Sequence, residues 1–444
     1  MNTHLDTGLD EKINQLQSAI EAARQEKASS QLWLLQRKLG QTFLEQGDAP
    51  KALTEFNEAL KIVSKGEDKE SLAQLLGFRG IALKEIGNFS LALQAFRKSH
   101  ATAKEIKHDA LTCNALIQIA MIKSDMGRAT EALSDLGQAM DRANSMRRQA
   151  RQMRIASLMA DTFYKLESFD KAVEYYVLAY EFAQKLGNHQ AESSFLTKVA
   201  NIFLLEEELE AAIGQYERAL DIASKIEDRN AEINILGGLF RAQALTGNVP
   251  LASKYGEQVI HLSRDINHTE AEFGTIDALS SFLIERGLAS QAITHIRRGI
   301  EIAGEQADMV RQATMIARLG QASYQKEDLP QALENFNAAL QLTEKIDEQV
   351  IRAYVLGQLS SVYADMGEIK SSNNTALQAL SLAQSLDDKR LVAEQQMLLA
   401  FNYRDSDELV EAQRFCLAAI ETYESLGDHD MVEKSKEFMI ELRV

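Results

Sequence analysis

The sequence predicts an all-α fold, an α-solenoid of about ten helical hairpins closed at each end by a half-repeat. Three observations carry that expectation. A phrase of turn, small residue and apolar stripe recurs every forty residues: Gly47 to Ala52, Gly87 to Ala92, Gly127 to Ala132, Glu167 to Ala172 and Glu207 to Ala212. It continues at Gly247 to Ala252, Gly287 to Ala292, Glu327 to Ala332, Gly367 to Ser372 and Asp407 to Ala412. A fixed period of this length marks a repeat architecture, in which each unit buries its apolar face against its neighbours. The chain of 444 residues is 45% hydrophobic, enough for a continuous core, yet has only three prolines. A proline inside a helix costs roughly 3 kcal/mol, so this scarcity suits an almost wholly helical chain. Those prolines, Pro50, Pro250 and Pro330, hold one phase of the repeat, near the first turn of a helix where a missing N–H does no harm.

In chain order, residues 1–27 are expected to form a tail and a capping helix. Leu9 to Glu26 reads as a lone second helix, since Ala19-Ile20 stand forty residues before Ala59-Leu60. Ten hairpins fill 28–426. Residues 427–444 hold a last helix in the phase of a first helix, placed like the N-terminal one to cover an apolar face. Within a unit, the first helix carries an apolar-small-x-x-apolar phrase such as Leu39-Gly40-x-x-Phe43 or Val199-Ala200-x-x-Phe203. This spacing puts the bulky residues on one face, and the small residue admits a neighbouring helix. The second helix carries alanines around a large residue, as in Ala212, Tyr216, Ala219 and Leu220. At the turn between them, Gly47, Gly87, Gly127, Gly247, Gly287 and Gly367 can take the left-handed conformation that ends a helix. Glu167, Glu207, Glu327 and Asp407 hold that place at a cost of about 1 kcal/mol each. Gly256 stands where the sixth unit should have its large residue, leaving either a gap that neighbours fill or a softer joint.

Composition narrows function. A net charge of −17 argues against sequence-independent binding to nucleic acid or an anionic membrane. Two distant cysteines, Cys113 and Cys416, are too few for a disulfide framework or a cysteine-built zinc site. The first residues have no signal-peptide core and no stretch has the apolar length of a membrane span, so a cytoplasmic location is expected. No metal-binding, phosphate-cradling or nucleophile-elbow motif occurs, and no cofactor or catalytic activity is expected. The eight histidines are scattered; His261 and His268 are seven apart, with a turn expected between them.

The small residue of the first helix, the turn glycine, and the Ala-aromatic-Ala of the second helix resemble the tetratricopeptide repeat family over nearly the whole chain. The forty-residue unit is similar to the long-unit branch found in Pins-type scaffolds and MalT-type regulators. Units nine and ten depart from the pattern: Ser372 replaces an alanine, and Ala376 and Cys416 replace the aromatic residue. The resemblance implies a right-handed superhelix whose first helices line a groove for an extended or helical segment of another protein. Carried onto this chain, the family's groove positions are Arg37, Gln41, Gln74, Asn114, Gln118, Arg154, Asp161, Asn201, Asn234, Arg241, Arg318, Gln321 and Gln358.

Two local features add to that stripe. Arg142, Arg147, Arg148, Arg151 and Arg154 follow one another with no acidic residue between them. Arg147, Arg151 and Arg154 have i, i+4, i+7 spacing and are expected to share a helix face. They would anchor an acidic or phosphorylated segment, or else pair with carboxylates of neighbouring units. Gly237-Gly238 falls mid-helix, with Gly77, Gly274 and Gly357 near the same phases, as either a flattened ligand-facing patch or a tight helix contact. The expected function is a non-catalytic scaffold for a protein or peptide segment, an acidic one being a candidate, with no nucleic acid or membrane partner. Self-association stays open. The alternative is a sensor of a signalling peptide or small molecule, with an unrecognised enzyme third.

Overall fold

The computed structural model describes residues 3–26 and 28–442, with side chains from Gly8 onward. The described residues form 22 α-helices and no strand. The chain divides into two compact units, Met1–Ala231 and Glu232–Val444. In the first unit, α1 (Thr3–Gln25) packs on the first of five hairpins. These are α2 (Ser29–Glu45) with α3 (Ala49–Val63), α4 (Lys69–Glu85) with α5 (Phe89–Glu105), α6 (Asp109–Asp125) with α7 (Ala129–Ser145), α8 (Gln149–Lys165) with α9 (Phe169–Leu186), and α10 (His189–Leu205) with α11 (Leu209–Lys225). The second unit holds most of α12 (Arg229–Leu245), then α13 (Val249–Asp265), α14 (Thr269–Glu285), α15 (Ala289–Glu305), α16 (Met309–Gln325) and α17 (Leu329–Lys345). It continues with α18 (Gln349–Asp365), α19 (Ile369–Ser385), α20 (Lys389–Asp405), α21 (Leu409–Leu426) and α22 (His429–Glu441), which packs on α21.

The structural period is half the sequence period. Most helices span 17 residues and are joined by three-residue turns. From Gly87 to Gly427, every twentieth residue has a positive φ. The turn at Gly47 is typical. Asp48 N–H donates to Phe43 C=O at 2.8 Å and Gly47 N–H to Leu44 C=O at 3.1 Å, closing α2. Asp48 then caps α3 by accepting from Lys51 N–H at 3.1 Å. Glu167, Glu207, Glu327 and Asp407 take the strained conformation expected of them. Lys107, Arg147, Glu227, Asn267, Ala307, Asp347 and Asp387 do so as well, in the turns between hairpins.

That placement corrects one expectation. Arg147 lies in a turn at φ 51, and α8 begins only at Gln149, so Arg147 does not share a helix face with Arg151 and Arg154. The turn overrides the i, i+4, i+7 spacing.

Within each unit the first helices touch one another as well as their partners: α2, α4, α6 and α8 in one, α14, α16, α18 and α20 in the other. They form the closer-packed face, and size complementarity with the second helices sets how close. A Cβ at Gly40 would lie 2.6 Å from the Phe56 ring, one at Gly80 2.6 Å from Phe96, and one at Gly320 2.7 Å from Phe336. The gap expected at Gly256 is filled by Leu279, whose side chain would stand 3.2 Å from an added Cβ.

Candidate ligand pocket on the first-helix face

In the first unit, α2, α4, α6 and α8 line an open-mouthed cavity of about 480 Å³ backed by α5. Arg37 and Gln41 reach it from α2, Gln74 and Gly77 from α4, Asn114 and Gln118 from α6, and Arg154 from α8. Its floor is apolar, built from Ala73, Phe78, Ile81, Phe96, Leu111, Ala115 and Ile117. Missing side chains make the space. A Cβ at Gly77 would meet only Ser99 Oγ, at 3.7 Å. That hydroxyl is already satisfied, donating to Ala73 C=O at 2.7 Å.

The polar rim is underused. Arg37 Nη1 donates to Gln74 Oε1 at 3.1 Å, and Gln74 Nε2 donates to Glu70 Oε1 at 3.2 Å. The Arg37 guanidinium lies 5.6 Å from the Trp33 ring centre, and its Nε is buried with no hydrogen-bond partner. Gln41, Asn114 and Gln118 have no side-chain hydrogen bond among the described residues. Of the five neighbouring arginines, Arg142 pairs with Asp109. Arg147, Arg148, Arg151 and Arg154 have no carboxylate partner among the described residues, so pairing with neighbouring units accounts for one arginine of the run. Arg151 Nη1 lies 3.9 Å from Met146 Sδ, a weak contact. No carboxylate lines the cavity among the described residues.

Other positions of the predicted stripe are engaged elsewhere. Asp161 accepts from the Tyr176 hydroxyl and from Lys198 Nζ at 2.7 Å, and Asn201 accepts from the Tyr216 hydroxyl. Burial, reinforced by Asp161, pushes the Tyr176 phenol far above its ordinary range. Here the groove residue satisfies a buried phenol on the second helix. In the second unit, Arg318 Nε donates to Asp277 Oδ1 at 2.6 Å. Asn234 and Arg241 are exposed on α12, while Gln321 on α16 and Gln358 on α18 are half-buried. A Cβ at Gly237 or Gly274 would meet nothing within 4 Å, so a tight helix contact does not explain either glycine. A Cβ at Gly357 would strike Gln395 Nε2 at 2.9 Å.

The apolar floor is what the stripe of polar positions omits. Its signal is the pairing of Gly77 with Ala115, thirty-eight residues on, two small residues where facing helices meet. His261 lies on α13 and His268 caps α14, accepting from Ala271 N–H at 3.3 Å, so a turn separates them. Among the described residues, no group of three His, Cys, Asp or Glu could hold a metal ion, and no helix is long and apolar enough to cross a membrane.

The tetratricopeptide repeat model matches residues 30–105, the stretch that supplies α2 to α5. Over those residues the chain matches the tetratricopeptide repeat, and the same forty-residue phrase recurs along the rest of it. Among solved structures, it is similar to a signal transduction ATPase with numerous domains from Pyrococcus horikoshii, described as having a tetratricopeptide repeat sensor. That likeness has a TM-score of 0.53 at 14% identity and covers 87% of this chain and 67% of the other. The chain is also similar to the apo form of RapI, with a TM-score of 0.50 at 14% identity over 75% of this chain and 97% of the other. At such identity these likenesses speak to the fold, an all-helical repeat array. No curated protein matches the chain.

Proposed function

We propose that this chain is a non-catalytic interaction module of the cytoplasm that holds a linear segment of a partner protein on the first-helix face of its first unit. The observation that carries this reading is the convergence of Arg37, Gln41, Gln74, Asn114, Gln118 and Arg154 on one cavity. Arginines and amides bond a peptide's main chain and carboxylates, and a preformed site spares ordering entropy. The chain's charge of −17 weighs against nucleic acid and anionic membranes as partners. Affinity capture from the native host tests the reading, with the wild type beside an Arg37→Ala, Arg154→Ala variant whose folding is verified by circular dichroism. A partner lost from the folded variant supports it; a partner held equally by both removes the binding site from this face.

The second reading is a sensor that changes its dimensions on binding a signalling peptide or small molecule. It is favoured by the small-molecule-sized cavity, and the Pyrococcus protein is described as having a repeat sensor. Small-angle scattering separates the two: a scaffold keeps its dimensions when its ligand binds, and a sensor compacts or lengthens.

A further inference from the structure

We propose that the cavity binds a small amphipathic organic anion, with an apolar body on the floor of Phe78, Ile81 and Ile117 and its charge between Arg37 and Arg154. The inference rests on the cavity being the binding site, and it names the occupant. Three independent features select that class. First, about 480 Å³ lies in the range of small-molecule sites, and Phe96 and Ser99 back the cavity to give it depth. Second, the floor is apolar and open at Gly77, where an added side chain would find space. Third, the rim holds two guanidinium groups and no carboxylate among the described residues, in a chain of net charge −17.

The hydrogen-bond inventory selects the sign of charge. Arg37 Nε is buried without an acceptor, and Arg154 has no ion-pair partner among the described residues. A buried donor left unmade is costly, and an anion satisfies it with a short, charge-assisted bond. A neutral apolar ligand would leave the buried Arg37 Nε without an acceptor, and a cation would be repelled by Arg37 and the exposed Arg154. Asn114 and Gln118, spaced i, i+4 on α6, supply amide donors beside the charge.

The probe is anilinonaphthalene sulfonate, an aryl sulfonate whose fluorescence rises in apolar surroundings, titrated into the full chain. One saturable site per chain is expected. Gly77→Leu, which fills the floor, and Ala115→Gln, which fills it from the facing helix, should each remove that site while near-ultraviolet circular dichroism shows native packing. Arg37→Gln, Arg154→Gln should weaken binding at least about tenfold, the factor that one charge-assisted bond supplies. The uncharged analogue phenylnaphthylamine should bind the wild type more weakly by about the same factor. Equal binding of the neutral analogue, undiminished binding to both floor-filling variants, or no saturable site in the wild type would each overturn the proposal. None of these outcomes touches partner capture, so a partner still lost from the Arg37→Ala, Arg154→Ala variant leaves the interaction module standing without this ligand.

Discussion

Gly77 and Gly357 hold the same phase of the forty-residue repeat, yet one opens a cavity and the other is filled. The residues around them differ at two positions, Ser99 against Ala379 and Ala115 against Gln395, and the second decides the space. Thirty-four residues beyond each glycine stands a leucine, Leu111 or Leu391; thirty-eight beyond stands Ala115 for the first and Gln395 for the second. Gln395 is buried, packs its amide over Gly357, and accepts from Ser360 Oγ at 2.9 Å. Ala115 reaches no such distance, and the space over Gly77 stays empty. A glycine in a repeat is therefore not a site in itself. Its facing partner one repeat later decides whether it is packing or pocket.

Substitutions at the two glycines should divide accordingly. Gly357→Leu must displace both Gln395 and Leu391, whose nearest atoms would lie 2.9 and 3.1 Å from the new Cβ. It should cost about 3 kcal/mol, from overpacking and a broken buried hydrogen bond. Gly77→Leu enters open space and should stay within about 1 kcal/mol of the wild type. Hydrogen exchange of α18 and α4, read on the full chain, measures both. Equal losses at the two sites would end the distinction. The facing residues should behave as mirror images, with smaller effects. Gln395→Ala empties a buried position and should lose about 2 kcal/mol, while Ala115→Gln should cost under about 1 kcal/mol because the cavity receives the amide.

This comparison marks where sequence reasoning reaches and where it stops. The hairpins, their phase and the left-handed turns at Gly47 or Glu167 are legible because the same short-range chemistry recurs in every unit. The turns between hairpins are not, because Lys107 or Ala307 carries no local signature of the positive φ it takes. The candidate site divides in the same way. Phase alone picks out Arg37, Gln41, Gln74, Asn114, Gln118 and Arg154, which line one cavity. It also picks out Asp161, Asn201 and Arg318, whose polar atoms are taken by Tyr176, Tyr216 and Asp277. Helical phase reports which way a side chain leaves its own helix. Whether a partner waits there depends on a residue on another helix.

Within α4 the contrast can be sharpened by one turn of helix. Gly80 is pressed against Phe96, so Gly80→Ala should lose about 1–3 kcal/mol and push that ring toward the cavity. Gly77→Ala meets only Ser99 Oγ at van der Waals distance and removes a glycine from a helix interior, so it should gain roughly 0.5–1 kcal/mol. Opposite signs of the same substitution, three residues apart, are the expected result in thermal unfolding. Two losses would mean that the space over Gly77 is not open.

Acid should separate the two glycine regions by a smaller margin. His100 follows Ser99 on α5, behind the cavity floor, and burial holds its pKa below the ordinary 6.5. Lys104 and Arg142 act in the same direction and Asp135 opposes them. The folded state thus takes up this proton less readily than the unfolded chain. The stability from the neutral ring is present above about pH 6.5 and is lost as pH falls from there through the lowered value. One proton limits the slope to about 1.4 kcal/mol per pH unit, and the half-buried setting of His100 keeps the effect well under that limit. Over Gly357 the filling groups, Gln395, Ser360 and Leu391, do not titrate. Protection of α5 should therefore fall as pH drops below about 6.5 while that of α18 stays level, once intrinsic exchange is corrected. His100→Gln should flatten the α5 response; a response that persists would move its origin to the carboxylates of the neighbouring helices.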